Sequence, residues 1–259
     1  MILSSAIEND IEITVQKAMQ TWNIPGLALV IIKDDKLLHM KGYGVREIGK
    51  PEPVDENTLF GAASITKTFT ATGMGLLVQD GKLAWDDPVT KYLPTFQLYD
   101  SHATQLLTIR DLLCHRSGIG SDSGEVLVYS SYPTDEVVRR LRYIPPEYSF
   151  RSGFGYSSLM FTTAGLIIST VSGMSWDDFI RQRIFEPIGM TNSVTNSRYF
   201  TDQSNIAIPH EEIKGNLRAV TYRQDARLEA IASVCTSVSD IAFWLRLQLN
   251  GGCINEKKI

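Results

Sequence analysis

Cysteine is scarce and scattered in this chain of 259 residues. Cys114, Cys235 and Cys253 form no C-x-x-C pair, which excludes a disulfide framework and a thiolate metal cage. The four histidines, His39, His102, His115 and His210, lack H-x-x-x-H and H-E-x-x-H spacing, so no metal and no other cofactor is expected. A net charge of −4 with no run of Lys or Arg gives no electrostatic footprint for nucleic acid and no polybasic patch for a membrane surface. No stretch has the apolar length of a membrane span. The opening Met1-Ile2-Leu3-Ser4-Ser5 lacks the basic and apolar regions of a signal peptide. The compartment therefore stays open: cytoplasmic as the sequence stands, periplasmic or secreted if a leader has been removed. G-x-G-x-x-G and G-x-x-x-x-G-K-[ST] do not occur, which argues against nucleotide binding. The nearest approach to G-x-S-x-G is Gly155-Tyr156-Ser157-Ser158-Leu159, without its final glycine. There is no internal repeat and no low-complexity tract.

What is present is an ordinary globular composition, 43% hydrophobic and 21% charged, at a length that suits one large or two small domains. Ile7, Ile11, Val15, Ala18 and Trp22 recur at helical spacing. Leu27 to Ile32 reads as a buried strand, Asp34-Asp35 as a turn, and Leu37 to Val45 as the returning strand. A helix beginning near Ser64 contains Gly73 and Gly75, and two glycines in so apolar a helix predict that another backbone approaches closely. Residues 80 to 200 read as mainly helical. Leu159 to Val171 is a buried helix ended by Gly173, Ser175-Trp176-Asp177-Asp178 a capping box, and Pro187 a helix stop. Ser237 or Ser239 caps a last helix with Ile241, Leu245 and Leu249 on one face. Trp22, Trp85, Trp176 and Trp244 are expected in the core or at domain contacts. The expected organisation is 1–79 for the first helix, the sheet hairpin and the helix near Ser64, 80–200 for a helical subdomain, and 201–259 for a return segment and last helix.

The residues that carry chemistry are Ser64-Ile65-Thr66-Lys67. Residues three apart on a helix share a face, so an amine stands beside a hydroxyl. The positive end of a helix dipole favours a developing alkoxide and disfavours charge on the lysine. Around this tetrad the chain reads Thr58-Leu59-Phe60-Gly61-Ala62-Ala63, then Asp80-Gly81-Lys82-Leu83, Asp86-Asp87-Pro88-Val89 and Tyr92-Leu93-Pro94. Further on stand Leu112-Leu113-Cys114-His115-Arg116-Ser117-Gly118, Phe154-Gly155-Tyr156-Ser157-Ser158, Phe185-Glu186-Pro187-Ile188-Gly189-Met190 and Ser237-Val238-Ser239-Asp240. In this order the series resembles the serine β-lactamase-related family: class C β-lactamases, penicillin-binding DD-peptidases and family esterases. The resemblance runs from about residue 22 to residue 259.

That resemblance implies an α/β (α+β) fold of β-lactamase/transpeptidase type, a mostly helical subdomain packed on an antiparallel sheet. It assigns Ser64 as nucleophile, with its own N–H as one oxyanion donor, and Lys67 and Tyr156 to proton transfer. A free phenol ionises near pH 10, so whether the tyrosine or the lysine is the base stays open. Ser158 stands where relatives carry the asparagine of Y-x-N, which binds a substrate amide. Serine donates one hydrogen bond and is shorter, so Ser158 is either a substrate-binding residue or a cap for the following helix. The His115 segment is expected to be a structural turn. After Tyr156 the chain has no K-T-G or H-x-G, the third family motif, and relatives carry further strands beyond the last helix read here. The expected fold therefore lacks its C-terminal strands, the isolated chain is expected to turn over weakly, and a homo-oligomer or second chain is expected to complete the sheet. The implied activity is a serine hydrolase forming an acyl-enzyme from a β-lactam, a D-amino-acid peptide or a carboxylic ester. The alternative is a non-catalytic penicillin-binding-like or regulatory homologue.

Overall fold

The computed structural model describes residues 5–196, 203–222, 228–254 and 257–259. In chain order, α1 (Ser5–Thr21), β1 (Gly26–Lys33), β2 (Lys36–Gly44) and β3 (Phe60–Gly61) precede α2 (Thr66–Gln79). Then come α3 (Ser101–Leu106), α4 (Ile109–Leu113), α5 (Thr134–Arg140), α6 (Ser158–Ser172), α7 (Trp176–Ile180) and α8 (Glu186–Ile188). The remaining elements are β4 (His210–Ile213), β5 (Asn216–Ala219), β6 (Cys235–Thr236), α9 (Val238–Leu249), β7 (Cys253–Ile254) and β8 (Lys257–Lys258). The chain divides into two compact units. One comprises Met1–Gly61, Phe185–Gln224 and Cys235–Ile259, the other Ala62–Ile184 and Asp225–Val234. Among the described residues no single helix is long and apolar enough to cross a membrane.

The first unit carries the antiparallel pairs. β1 and β2 pair from Gly26↔Gly44 to Lys33↔Lys36, with an irregularity between Ile31 and Ile32. Asp34 (φ +51°) and Asp35 (φ +60°) form the two-residue turn, in the left-handed conformation that Asp tolerates and that hairpin twist requires. Arg246 on α9 holds the turn by a two-pronged ion pair with Asp35, at 2.6 and 3.1 Å. α9 lies against β1 and β2. Its core face is Ala242, Trp244 and Leu247 rather than the expected stripe, since Leu245 is 36% and Leu249 59% exposed. Ser237, not Ser239, is the cap and accepts the Asp240 N–H. A second small core gathers Leu59 and Cys235 with Val194, Ile206 and Tyr222. Burial pushes the Cys235 thiol up to about 12, which makes it an inert core group rather than a nucleophile. α1 departs from expectation. Only Val15 is buried and Trp22 is 72% exposed, because this helix engages β2 through Glu12, which accepts from Lys41 at 2.7 Å and from Tyr43 at 3.0 Å.

The second unit is helical and is built around α6, which packs against α2, α4, α5 and α7. Leu159, Met160, Ala164, Ile167 and Ile168 on α6 are fully buried, and each large apolar side chain contributes about 1.5–3 kcal/mol. α6 ends where expected, at Gly173 in the left-handed conformation (φ +74°). α4 starts with a reciprocal capping box between Thr108 and Asp111. Ser175 caps α7 by accepting the Asp178 N–H at 3.0 Å. Pro187 is not the stop it was expected to be. It lies in the first turn of α8, which belongs to the first unit, a position that tolerates proline, and Gly189 (φ +89°) ends that helix. The glycines of α2 are also explained differently. A Cβ at Gly73 would meet the side chains of Ile168, Ile180 and Phe179 at 3.2–3.3 Å, so side chains rather than a second backbone press on this helix.

Candidate active site

Ser64 sits in a single 3-10 turn, Ala63–Ile65, that leads directly into α2. The turn is bent by Ala63, whose φ of +44° is the left-handed conformation that a Cβ disfavours. Such strain persists only when surrounding bonds fix it, and here the residues just before β6 do so. Ala62 N–H donates to the Val234 carbonyl at 2.8 Å, and Val234 N–H donates to Thr66 Oγ1 at 3.1 Å. One turn along α2, Thr70 Oγ1 donates to the Ala230 carbonyl at 2.7 Å and accepts from the Trp176 indole at 3.1 Å. Sequence reasoning missed Ala230 and Ile231, far from Ser64 along the chain, and with them the role of Thr66 and Thr70 in tying that segment to α2.

Ser64, Lys67 and Tyr156 come together. Lys67 Nζ lies 3.2 Å from Ser64 Oγ and donates to the Ile231 carbonyl at 3.1 Å. The Tyr156 hydroxyl lies 2.9 Å from the same Oγ. Lys67 Nζ is 5.0 Å from the centre of the Tyr156 ring and 5.9 Å from that of Phe161, close enough for cation–π attraction. Lys67 is buried, Tyr156 half-buried and Ser64 exposed. The serine oxygen thus faces solvent while its two proton-transfer partners are held from behind. Two donors converge on one oxygen, which stabilises negative charge there. Proton removal needs either partner in its base form.

Ser158 does not join them through its side chain. It is the first residue of α6, and the cap position is Ser157, whose hydroxyl makes no cap bond. Of the two readings of Ser158, substrate binding or capping, the capping is done instead by Glu125, whose carboxylate accepts the Ser158 N–H at 2.8 Å. A carboxylate at a helix N-terminus offsets the dipole and satisfies an otherwise free donor. Glu125 had no signal in sequence, since it is far from α6 along the chain. Ser157 Oγ itself is buried with no hydrogen-bond partner.

His115 lies beside this group rather than in it. Its φ is +56°, its carbonyl accepts the Gly155 N–H at 3.0 Å, and its Nδ1 accepts the Ser157 N–H at 3.1 Å. Its ring stacks on that of Tyr156, with centroids 4.6 Å apart and planes at 29°. Burial, and then the charge of Lys67, hold its pKa below the ordinary imidazole value. Ser121 Oγ completes the cradle by accepting the Tyr156 N–H at 3.1 Å. Among the described residues no cluster of three or more His, Cys, Asp or Glu side chains could hold a metal ion.

A family model described as Beta-lactamase matches residues 11–259. Unguisins hydrolase ungD of Aspergillus violaceofuscus is 29% identical over 266 residues, covering 95% of this chain and 46% of that protein. Protein flp of Staphylococcus aureus is 27% identical over 251 residues, covering 96% of this chain and 50% of that one. The solved structure of the octameric penicillin-binding protein homologue from Pyrococcus abyssi superimposes with a TM-score of 0.83 at 27% identity, covering 94% of this chain and 56% of that chain. The chain therefore spans about half the length of the curated relatives it matches.

Proposed function

Since this chain belongs to the Beta-lactamase family, we propose that it carries the nucleophilic half of a serine hydrolase that works through an acyl-enzyme. The observation that carries the reading is the convergence of Lys67 Nζ and the Tyr156 side-chain oxygen on Ser64 Oγ, at 3.2 and 2.9 Å. In the reaction, Ser64 Oγ attacks a carbonyl carbon and its proton passes to whichever of Lys67 and Tyr156 is in its base form. The tetrahedral species collapses with breakage of the bond to the leaving group, which takes that proton. Water then attacks the acyl carbon and gives a proton to the same base, the Ser64 ester bond breaks, and that proton passes to Oγ.

For substrate, the reading stays with β-lactams, D-amino-acid peptides and carboxylic esters. Support comes from the names of two relatives, one a hydrolase and one a penicillin-binding protein homologue. The engagement of the Ser158 N–H by Glu125, with a serine in place of asparagine, supports the ester side of that range. A second oxyanion donor has no assigned residue in this chain, and losing one such donor lowers turnover by about 10²–10³. Weak turnover by residues 1–259 alone belongs to the proposal.

Completion of the β1–β2 pair by a further segment or a second copy belongs to it as well, supported by the partial exposure along all of β1 and by the octameric state named for the Pyrococcus abyssi homologue. The test is covalent labelling with a fluorophosphonate or a fluorescent penicillin, mapped by mass spectrometry. An adduct on Ser64 that disappears in Ser64→Ala is expected. Absence of any adduct, under conditions that label a relative, makes the chain a binding or regulatory homologue.

A further inference from the structure

We propose that His115 is a positioning residue for Tyr156, an acid-sensitive clamp that holds the phenol against Ser64 only while its ring is neutral. The inference rests on the acyl-enzyme reading for its effect on chemistry, though not for the clamp itself. Three contacts from one residue grip three consecutive positions. The His115 carbonyl takes the Gly155 N–H at 3.0 Å, the ring lies flat on Tyr156 at 4.6 Å, and Nδ1 takes the Ser157 N–H at 3.1 Å. The ring is closed in by Phe154 at 5.5 Å, nearly edge-on, and by Phe161 at 5.3 Å. The hydrogen bond to Nδ1 fixes the tautomer, because a nitrogen that accepts a backbone N–H carries no proton of its own.

Protonation therefore does two things at once. It converts Nδ1 from acceptor to donor, so that it faces the Ser157 N–H donor to donor, and it adds a cation close to Lys67. Of the charged and titratable groups nearby, Lys67 of α2 acts on the ring through its charge, Tyr156 on the segment before α6 stacks against it, and the Glu125 carboxylate is engaged by the Ser158 N–H. Arg116, next in the chain, is turned away onto the Arg151 carbonyl. Among the described residues no carboxylate lies within ion-pair distance of the ring to receive the imidazolium. Burial and the Lys67 charge both favour the neutral ring, so the clamp is closed at neutral pH and opens on acidification, at a lower pH than a free imidazole would set.

The experiment compares wild type with His115→Asn and His115→Phe. Asparagine adopts a positive φ readily and places its side-chain oxygen where Nδ1 accepts, but does not titrate. Phenylalanine keeps the flat ring without the acceptor. Hydrogen exchange of the peptide spanning 153–158, corrected for intrinsic rate, is measured at about pH 7 and about pH 5, together with the rate of fluorophosphonate labelling of Ser64. In wild type, protection of the Ser157 amide is expected to fall about tenfold or more at the lower pH, with labelling falling beyond what the base alone imposes. In His115→Asn the extra acid loss disappears in both readouts, and in His115→Phe protection is low at both values. Equal protection in wild type and His115→Asn at both values, with both proteins folded by circular dichroism, overturns the clamp. If His115→Asn does not fold, wild-type protection that is unchanged between the two pH values overturns it equally. Failure of Ser64→Ala to abolish labelling overturns the acyl-enzyme reading and leaves the exchange result standing.

Discussion

Alanine at Gly73 and alanine at Gly75 should change stability in opposite directions, although the two glycines are two residues apart on the same helix. In a helix interior, alanine is favoured over glycine by about 0.5–1 kcal/mol, and both substitutions gain this. At Gly75 the new methyl meets only the Trp85 ring at 3.8 Å, an ordinary contact, so the gain is kept. At Gly73 it meets Ile168 Cδ1 and Ile180 Cδ1 at 3.2 Å and Phe179 Cε1 at 3.3 Å. Ile168 and Ile180 are fully buried and Phe179 is 1% exposed, so none can swing into solvent. Overpacking of this kind costs about 1–3 kcal/mol, which outweighs the propensity gain. Gly73→Ala is therefore expected to destabilise by about 0.5–2 kcal/mol and Gly75→Ala to stabilise by about 0.5–1 kcal/mol. At roughly 2–4 °C per kcal/mol, thermal melts resolve the pair, and urea midpoints check the sign. Gly73 also lies where α2 meets α6 and α7, so a shift there moves Lys67 relative to Tyr156. Labelling of Ser64 should slow by about 2–10-fold in Gly73→Ala and stay unchanged in Gly75→Ala. Equal stabilisation by both would refute the reasoning, because it would mean that the three side chains around Gly73 move aside at no cost.

Tyr156→Phe removes a hydroxyl that bonds to Ser64 Oγ, so labelling should fall about 10²–10⁴-fold with the melting temperature unchanged. Arg151→Met should lower stability by about 1–2 kcal/mol, a buried-pair cost discounted because the arginine is 43% exposed, as read by urea denaturation. That loss should depend on pH. Burial raises the Asp111 carboxyl, but the Arg151 and Thr108 hydrogen bonds outweigh it and hold the pKa below its ordinary value. The pair's stability is therefore present above about pH 4, the unfolded value, and fades as pH falls through the lower folded value; parallel melts from pH 7 to 2 should converge at the acid end. Glu125→Ala should cost about 0.5–2 kcal/mol and Glu125→Gln less, since glutamine keeps the bond to the Ser158 N–H and loses only the charge at the helix terminus.

Local patterning made much of the fold legible. The β1–β2 hairpin, the buried run of α6 with its glycine stop, and the Ser175 cap each depend on residues adjacent in sequence or one helical turn apart. The misreadings share a cause. Periodicity placed Trp22 and Leu249 on apolar stripes, but a stripe records what a face could bury and says nothing about what lies opposite it. α1 meets β2 through Glu12, and α9, which lies against the hairpin, buries Trp244 and Leu247 rather than Leu249. Pro187 reads as a terminator because a proline inside a helix breaks it, whereas in a first turn it is tolerated, and sequence does not say in which turn a residue falls.

The site divides the same way. Ser64 and Lys67 are three residues apart, so helix geometry alone joins them. Tyr156 was joined to them only by resemblance, and the physical tie runs through residues that no motif marks. The carbonyls of Ala230 and Ile231 take donors from Thr70 and Lys67, and the Val234 backbone bonds to Ala62 and Thr66. A lysine bonded on one side to a carbonyl and on the other to Ser64 has its amine fixed in direction, and Tyr156 is fixed by Ser121 and His115 in turn. It follows that substitutions at Ala230, Ile231, Ala232 and Val234, none of which bears a reactive group, should weaken Ser64 labelling through misplacement of Lys67. Thr70→Val isolates the effect. It keeps the shape, deletes the bond to the Ala230 carbonyl and orphans the Trp176 indole, at a cost of about 1–3 kcal/mol. Labelling by a probe at saturating concentration should fall with it. Full labelling at wild-type rate in a destabilised Thr70→Val would mean that Lys67 is aimed by α2 alone.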